Sequence, residues 1–328
     1  MKGIGRQLSF GIAKEAVRGT AEAAATFWIP FTDLSLDEKV ELADYNPALG
    51  VIESLSDQKI VKKWTEGSIK APVGDKHTAL ILLSILGAVA TTDNADADVS
   101  IKDHALTVGQ SAQHPSLSMF LDDPLGAQDY KHPNGAIEEF SIKYEVGKIL
   151  EEEVKFKSRA GATATLTPAM TVENKFLSQH ATFKMAANLA GLDAASAMKI
   201  KSFNLKISQK LEDDYVLGSA TPDDFINGGP TIEGEIEAIW QNETDFKTAF
   251  LAGTQKALRI DLKNTDVTIG TAANPEIKID LAKVTFNALT KAVKIDDVVM
   301  QTLSFKASYS TADSKMIVVT VTNAQASY

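Results

Sequence analysis

Five histidines, His77, His104, His114, His132 and His180, are the side chains best able to bind a metal or carry a proton. None sits in an H-E-x-x-H motif or at the paired spacing a metal site on one helix needs, so each is expected to be solvated or bonded to a near neighbour. Cysteine is absent, which removes thiolate metal sites, cysteine nucleophiles and disulfides together. The run Gly74-Asp75-Lys76-His77-Thr78 ends like a phosphate-binding loop. Its upstream glycine, Gly67, stands too far away and Asp75 would aim a carboxylate at the phosphates, so Asp75 is expected to cap a helix. Gly3-Ile4-Gly5 lacks the third glycine and the preceding strand of a dinucleotide site, and no G-x-S-x-G elbow occurs.

The remaining chemistry lies in acidic clusters: Glu151-Glu152-Glu153, Glu212-Asp213-Asp214, Asp223-Asp224 and Asp296-Asp297. Acid–base catalysis needs two carboxylates whose surroundings push their pKa values apart, whereas adjacent acids point apart and stay solvated. Asn242-Glu243-Thr244 fits a glycosylation sequon, but capping of a helix accounts for it. Trp28, Trp64 and Trp240 are unevenly spaced and suit core or contact positions better than a sugar platform. No enzyme, cofactor or metal is expected.

The 328 residues are 44% apolar, enough for one or two cores, and carry a formal charge of −10 with a pI near 5.1. Acid exceeds base in both halves, so broad binding to phosphate backbones is not expected. Residues 1–10 contain Lys2 and Arg6 without a continuous apolar stretch, and no run approaches a membrane span, so neither secretion nor membrane insertion is expected.

The elements that must position these side chains are mostly strands, read from period-two alternation in residues 140–144, 154–157, 203–207, 284–286, 303–307 and 316–321. Two helices are expected. Asp75 precedes one whose apolar residues lie all round the cylinder and which Gly87 stops, so it is expected to be buried on most sides; Asn242 and Asp245 open another, with Phe246 and Phe250 on one face and Gly253 at its end. The pattern also repeats. Residues 65–71 return as residues 232–238, about 167 residues on, and Leu49-Gly50, Leu34-x-Leu36 and Gly87 return in the same order as Leu217-Gly218, Phe203-x-Leu205 and Gly253. Residues 1–170 and 171–328 thus read as two tandem copies, joined by a linker at residues 159–174, with final hairpins at 137–157 and 281–307. Residues 88–134 of the first exceed their counterparts 254–280, and their turn-forming residues, including His114-Pro115 and Lys131-His132-Pro133-Asn134-Gly135, are expected on the surface.

The segment Gly11-Ile12-Ala13-Lys14-Glu15-Ala16-Val17-Arg18-Gly19-Thr20-Ala21 with Trp28-Ile29-Pro30 resembles the opening of tail tube proteins of long-tailed bacteriophages. In the second half, residues 200–207, then Asp214-x-x-Leu217-Gly218-Ser219-x-x-Pro222-x-Asp224 and Thr231-x-x-Gly234, are similar to the same family's strand, loop and returning strand. The resemblance implies a mainly β (α+β) fold, with each copy a β-sandwich or barrel flanked by one short helix. It implies a structural virion protein, assembled in the host bacterial cytoplasm, whose stacked rings form a hollow tube for DNA ejection. Partners implied are further copies of itself, the tape measure, tail terminator and distal tail proteins, and double-stranded DNA in transit. With two copies per chain, three chains make a pseudo-hexameric ring. The loops at residues 37–63 and 211–230, with Tyr45, Asn46, Leu49 and Gly50, and Tyr215, Leu217, Gly218 and Asp223, are either inter-ring contacts or plain surface loops. The inner wall is expected to be predominantly acidic. Glu138, Glu151, Glu153, Asp280, Asp296 and Asp297 are either acids of that wall or outer solubility charges; Glu151 and Glu153 share a strand face that Glu152 does not. The alternative is a non-enzymatic β-sandwich surface or carbohydrate-binding module, which a secretion signal or clustered exposed aromatics would favour.

Overall fold

The structure is a computed structural model and describes residues 4–54, 56–95, 98–124, 128–240, 246–293, 295 and 298–328. Alternating, β-branched sequence makes the chain mainly β. The first half contains β1 (Ser9–Lys14), β2 (Phe27–Ile29), β3 (Asp33–Tyr45), β4 (Asp57–Pro72), α1 (His77–Leu86), β5 (Gly87–Asp93), β6 (Lys102–Val108), β7 (Leu117–Asp122), β8 (Asp129–Glu145), β9 (Glu151–Ser158) and β10 (Ala162–Ala164). The second contains β11 (Ala181–Ala186), β12 (Ala197–Met198), β13 (Ser202–Asp214), β14 (Asp224–Ile239), α2 (Lys247–Leu251), β15 (Lys256–Lys263), β16 (Glu276–Ala292), β17 (Met300–Ala307) and β18 (Ile317–Asn323).

All strand pairs are antiparallel, and their order recurs. In the first half β2 pairs with β1, β1 with β7, β7 with β8, β8 with β9, β9 with β4 and β4 with β3. In the second half β12, β11, β15, β16, β17, β14 and β13 follow in the same way. Irregularities recur as well: the register shifts at Leu117/Met119 and Lys256/Leu258, and at Ile137/Glu139 and Phe286/Ala288. A bulge fixes the aim of the flanking side chains, so its recurrence keeps the two face patterns in phase. β13 also pairs with β8, which makes one continuous run β3–β4–β9–β8–β13–β14–β17–β16. The β5–β6 hairpin has no second-half counterpart among the described residues and joins the halves through β6–β18.

One face of this run is apolar. Ile69, Val154, Phe140, Leu205, Ile236 and Leu303 belong to a single core that spans both halves, roofed by α1. All ten α1 residues are buried, and at roughly 1.5–3 kcal/mol for each large aliphatic side chain removed from water the roof is a major part of stability. Gly87 ends α1 at φ 97°, a conformation only glycine adopts cheaply.

Asp75 does not cap α1. Its carboxylate accepts from the backbone N–H and side-chain amide of Asn174, at 2.9 and 2.8 Å, and Glu173 instead accepts the His77 N–H at 3.1 Å. The capping group therefore arrives from a distant segment, which local spacing cannot reveal. Asn242 and Asp245 lie outside the described residues; α2 begins after Phe246, which is buried edge-on against Phe286, and Phe250 is half-buried on the same core. The long stretches 37–63 and 211–230 are mostly strand, and only residues 46–56 and 215–223 connect them. β3 reads as a loop in sequence because nearly every residue from Asp37 to Tyr45 is exposed, so its two faces carry no contrast. Residues 159–174 contribute β10 and Glu173 to the fold and are not a free linker. His132-Pro133-Asn134-Gly135 lies inside β8, with His132 and Asn134 buried, because Asn134 at φ 56° forms the irregularity opposite β7.

Candidate functional site

The other face of the eight-strand run is polar from end to end. Rows of residues cross it in register: Lys70, Glu153, Ser141, Lys206, Glu233, Lys306 and Thr285 form one, and Glu151, Lys143, Asn204, Glu235, Ser304 and Ala288 the next. The period of two that buries Phe140, Ile142, Val154 and Phe156 dictates this alternation. Charges interleave across the rows: Lys206 and Lys155 reach Glu139 at 2.6 and 3.2 Å, and Lys306 reaches Glu233 at 3.6 Å. Partial burial raises the Glu139 carboxyl, but the two lysines outweigh it and hold the group below its usual range. Glu145 is pulled down to about 2 by hydrogen bonds from Lys148 and Lys143. The face is a lattice of alternating charge, with the acids Glu233, Glu235 and Glu237 in line along β14.

Glu151 and Glu153 stand on this face and Glu152 is buried on the other, as the alternation requires. Glu138 occupies the bulge of β8, half-buried beside Lys155 and Lys157 in a cavity that Asp37 and Glu66 also line. Asp280 lies on the part of β16 that pairs with β15 and β18, where Arg259 neutralises it with bonds of 2.6 and 2.9 Å. Asp296 and Asp297 lie outside the described residues. At the hairpin tips Tyr45, Leu49 and Leu217 are exposed, and Gly50 and Gly218 take φ 78° and 92°. Asn46 lies in the same β3–β4 connection. Tyr215 lies under Lys62, and Asp223 is exposed next to Arg159, so the second tip folds against the first ribbon. That contact is closed by Lys63 N–H donating to the Ala220 carbonyl at 2.7 Å. The β14 acids are legible as period-two charges in Ile232-Glu233-Gly234-Glu235-Ile236-Glu237, a signal that points to a sheet face and not to a cleft, and Glu139 and Glu145 flank the alternating run at residues 140–144.

All five histidines are buried, so of the two expected states, solvated or bonded to a near neighbour, the first does not hold. His180, whose Nδ1 accepts from Leu177 N–H at 3.1 Å, shows the second. His77 is clamped between Glu152 at 3.1 Å and Glu173 at 2.5 Å. Burial alone would lower its pKa, but the two carboxylates raise it to about 10. A doubly clamped imidazolium has no lone pair for a metal or for base catalysis. His104, His114 and His132 are shifted down, chiefly by burial, and bond within the fold, for example His114 to the Ile85 carbonyl at 3.1 Å. Among the described residues no group of His, Asp and Glu is arranged to hold a metal.

Two strand edges on the polar run remain without a partner among the described residues: the outer edge of β3 and the edge of β16 at residues 288–292. The segment after β1 is tied down differently. Buried Glu15 accepts from Gly19 N–H at 2.7 Å, Ser116 at 2.6 Å and Asn134 N–H at 2.7 Å, and Arg18 bonds Asp224 of the second half at 2.7 Å. This accounts for the Lys-Glu-x-x-x-Gly-Thr spacing, since Gly19 turns at φ 77° to reach the carboxylate.

A family model described as "Phage tail tube protein" matches residues 5–307. The chain belongs to the phage tail tube protein family. No curated protein matches the sequence. Membership makes this a structural protein of the virion tail that self-assembles into the tail tube. The polar sheet of this tail tube protein carries two strand edges that are unpaired among the described residues.

Proposed function

We propose that the chain is two copies of one module, residues 1–170 and 171–328, and that three chains close head to tail into a ring of six modules. The observation that carries this reading is the internal joint. β8 and β13 pair from Ser202 opposite Glu145 to Ser208 opposite Glu139. The counterparts of these strands are β16 and β3, and their matching edges are the two open ones. Transferring the register brings Leu36 opposite Lys291 and Lys39 opposite Ala288 of the next chain. Burial supports it: Phe203, Leu205 and Ile207 are buried in the internal joint, whereas Leu34 and Leu36 are half-buried and Glu38 exposed at the open edge. Where Ile207 lies diagonal to Ile142 inside the chain, Glu38 would lie diagonal to Lys291 between chains, so an apolar contact is replaced by opposite charges. Head-to-tail pairing that returns to its start leaves no sheet edge open.

Rings so formed stack through the hairpin tips around Leu49 and Leu217, in contact at the tube ends with tape measure and terminator proteins, and the polar face lines the channel for DNA. Interleaved lysines and acids offer no continuous basic surface for counterion release, so DNA passes without being held. The residual acids Glu151, Glu153 and Glu235 repel it over roughly 10 Å at 0.1 M salt. Replacing Glu151→Lys and Glu153→Lys together is expected to leave tubes intact and slow genome ejection; unchanged ejection would remove these residues from the wall. Ring closure is tested by oxidising a Lys39→Cys, Ala288→Cys variant, in which a covalent trimer is expected.

A further inference from the structure

We propose that residues 4–7 of one chain seat on the lead-in to β17 of its neighbour, closing the cavity beside α2. The first half carries the precedent. Ser178–His180 forms a single 3-10 turn ahead of β11, and Leu177 before it bridges to Ile149, while Leu150 N–H donates to the Phe176 carbonyl at 3.1 Å. Leu150 in turn holds β4, its carbonyl accepting from Val73 N–H at 3.0 Å. The segment ahead of β1 has the same form. Gly5–Gln7 is a 3-10 turn, and Gln7 N–H donates to the Ile4 carbonyl at 3.0 Å as His180 N–H does to Leu177 at 3.0 Å. Phe10 and Phe183 occupy matching places in the two following strands. Ile4 is therefore the counterpart of Leu177, and it is 70% exposed.

The seat is repeated as well. Val298 and Val299 correspond to Ile149 and Leu150, with Trp240 N–H donating to the Val299 carbonyl at 2.9 Å. Leu150 is 1% exposed under its covering segment, whereas its counterpart Val299 is only half-buried. Beside this seat lies a cavity of about 430 Å³ lined by Met185, Met198, Ala238, Ile239, Phe246 and Gln301. Gln301 is 4% exposed and its Oε1 has no hydrogen-bond partner among the described residues. Its first-half counterpart, Glu152, accepts from Thr78 at 2.6 Å and touches His77.

The occupant follows from the joint between halves. Pairing β13 with β8 carries the segment ahead of β11 onto Ile149 and Leu150; pairing the neighbour's β3 with β16 carries the segment ahead of its β1 onto Val298 and Val299. The inference thus rests on the ring reading, and the two are separable by experiment. The chain has no cysteine, so engineered pairs report without background. In assembled tubes under mild oxidation, Ile4→Cys with Val298→Cys is expected to link neighbouring chains, and Leu177→Cys with Ile149→Cys to link within one chain. A link at Lys39→Cys with Ala288→Cys without one at Ile4→Cys with Val298→Cys overturns the seat and leaves the ring. Absence of both from well-formed tubes overturns the ring and the seat with it. Should the cysteine variants fail to assemble, hydrogen exchange on the wild type decides: the Val299 amide is expected to exchange at least about tenfold more slowly in tubes than in isolated chains, and equal rates would overturn the seat.

Discussion

Gly67 and Gly234 leave no room for a side chain. A Cβ on Gly67 would stand 2.5 Å from both the Phe156 ring and the Ser35 carbonyl, and one on Gly234 2.3 Å from Phe305 and 2.6 Å from the Asn204 carbonyl. Each glycine lets a cross-strand phenylalanine lie flat across the apolar face without lifting the sheet. Gly67→Ala and Gly234→Ala are each expected to cost about 1–3 kcal/mol in denaturant unfolding, and Phe156→Leu to recover part of the first loss. The His77 clamp gives a pH prediction. Its folded pKa is raised to about 10 from 6.5. The contribution is therefore complete below about pH 6.5 and is lost as pH rises through 10. The melting-temperature gap between wild type and His77→Gln is expected to narrow between pH 7 and 10, and a constant gap would contradict the clamp. Sequence located Gly67, Gly234 and the alternation of Glu151 and Glu153, because these depend on neighbours in the chain. It missed the clamp, whose members Glu152 and Glu173 come from a strand and a distant segment.

α1 was legible as a buried helix because its apolar residues ring the cylinder, and β8, β9, β13 and β17 because each has one buried face. β3 was not, and its exposed alternation has a physical reason if its partner is another chain. Leu82, wholly buried in α1, is expected to cost about 2–5 kcal/mol when replaced by alanine, read by thermal or denaturant unfolding. Leu36 and Leu205 separate folding from assembly. Leu205→Asp places a charge in the closed internal joint, where Leu205 is 0% exposed, and is expected to unfold the chain. Leu36→Asp, at the open edge, is expected to leave a folded monomer with near wild-type circular dichroism and to abolish rings in size-exclusion chromatography. Rings formed by Leu36→Asp would remove β3 from the joint.

At the scale of the whole molecule, repeated strand order and repeated bulges are the ground for taking the internal β8–β13 joint as the template of the proposed contact between chains. The core crosses both halves without interruption, so the angle between the modules is fixed within the chain before assembly begins. In the proposed assembly a fixed angle gives every joint the same rotation, which is the condition for a closed ring instead of an open filament. Sequence recorded the repeat through anchors such as Leu34-x-Leu36 and Phe203-x-Leu205, but not which edges meet, since pairing across a joint leaves no spacing to read. The most direct test is native mass spectrometry of the oxidised Lys39→Cys, Ala288→Cys variant. Closure predicts a covalent three-chain species with no free thiol and no larger ladder. A six-chain ring, or an open series of dimers, tetramers and higher species, would contradict it.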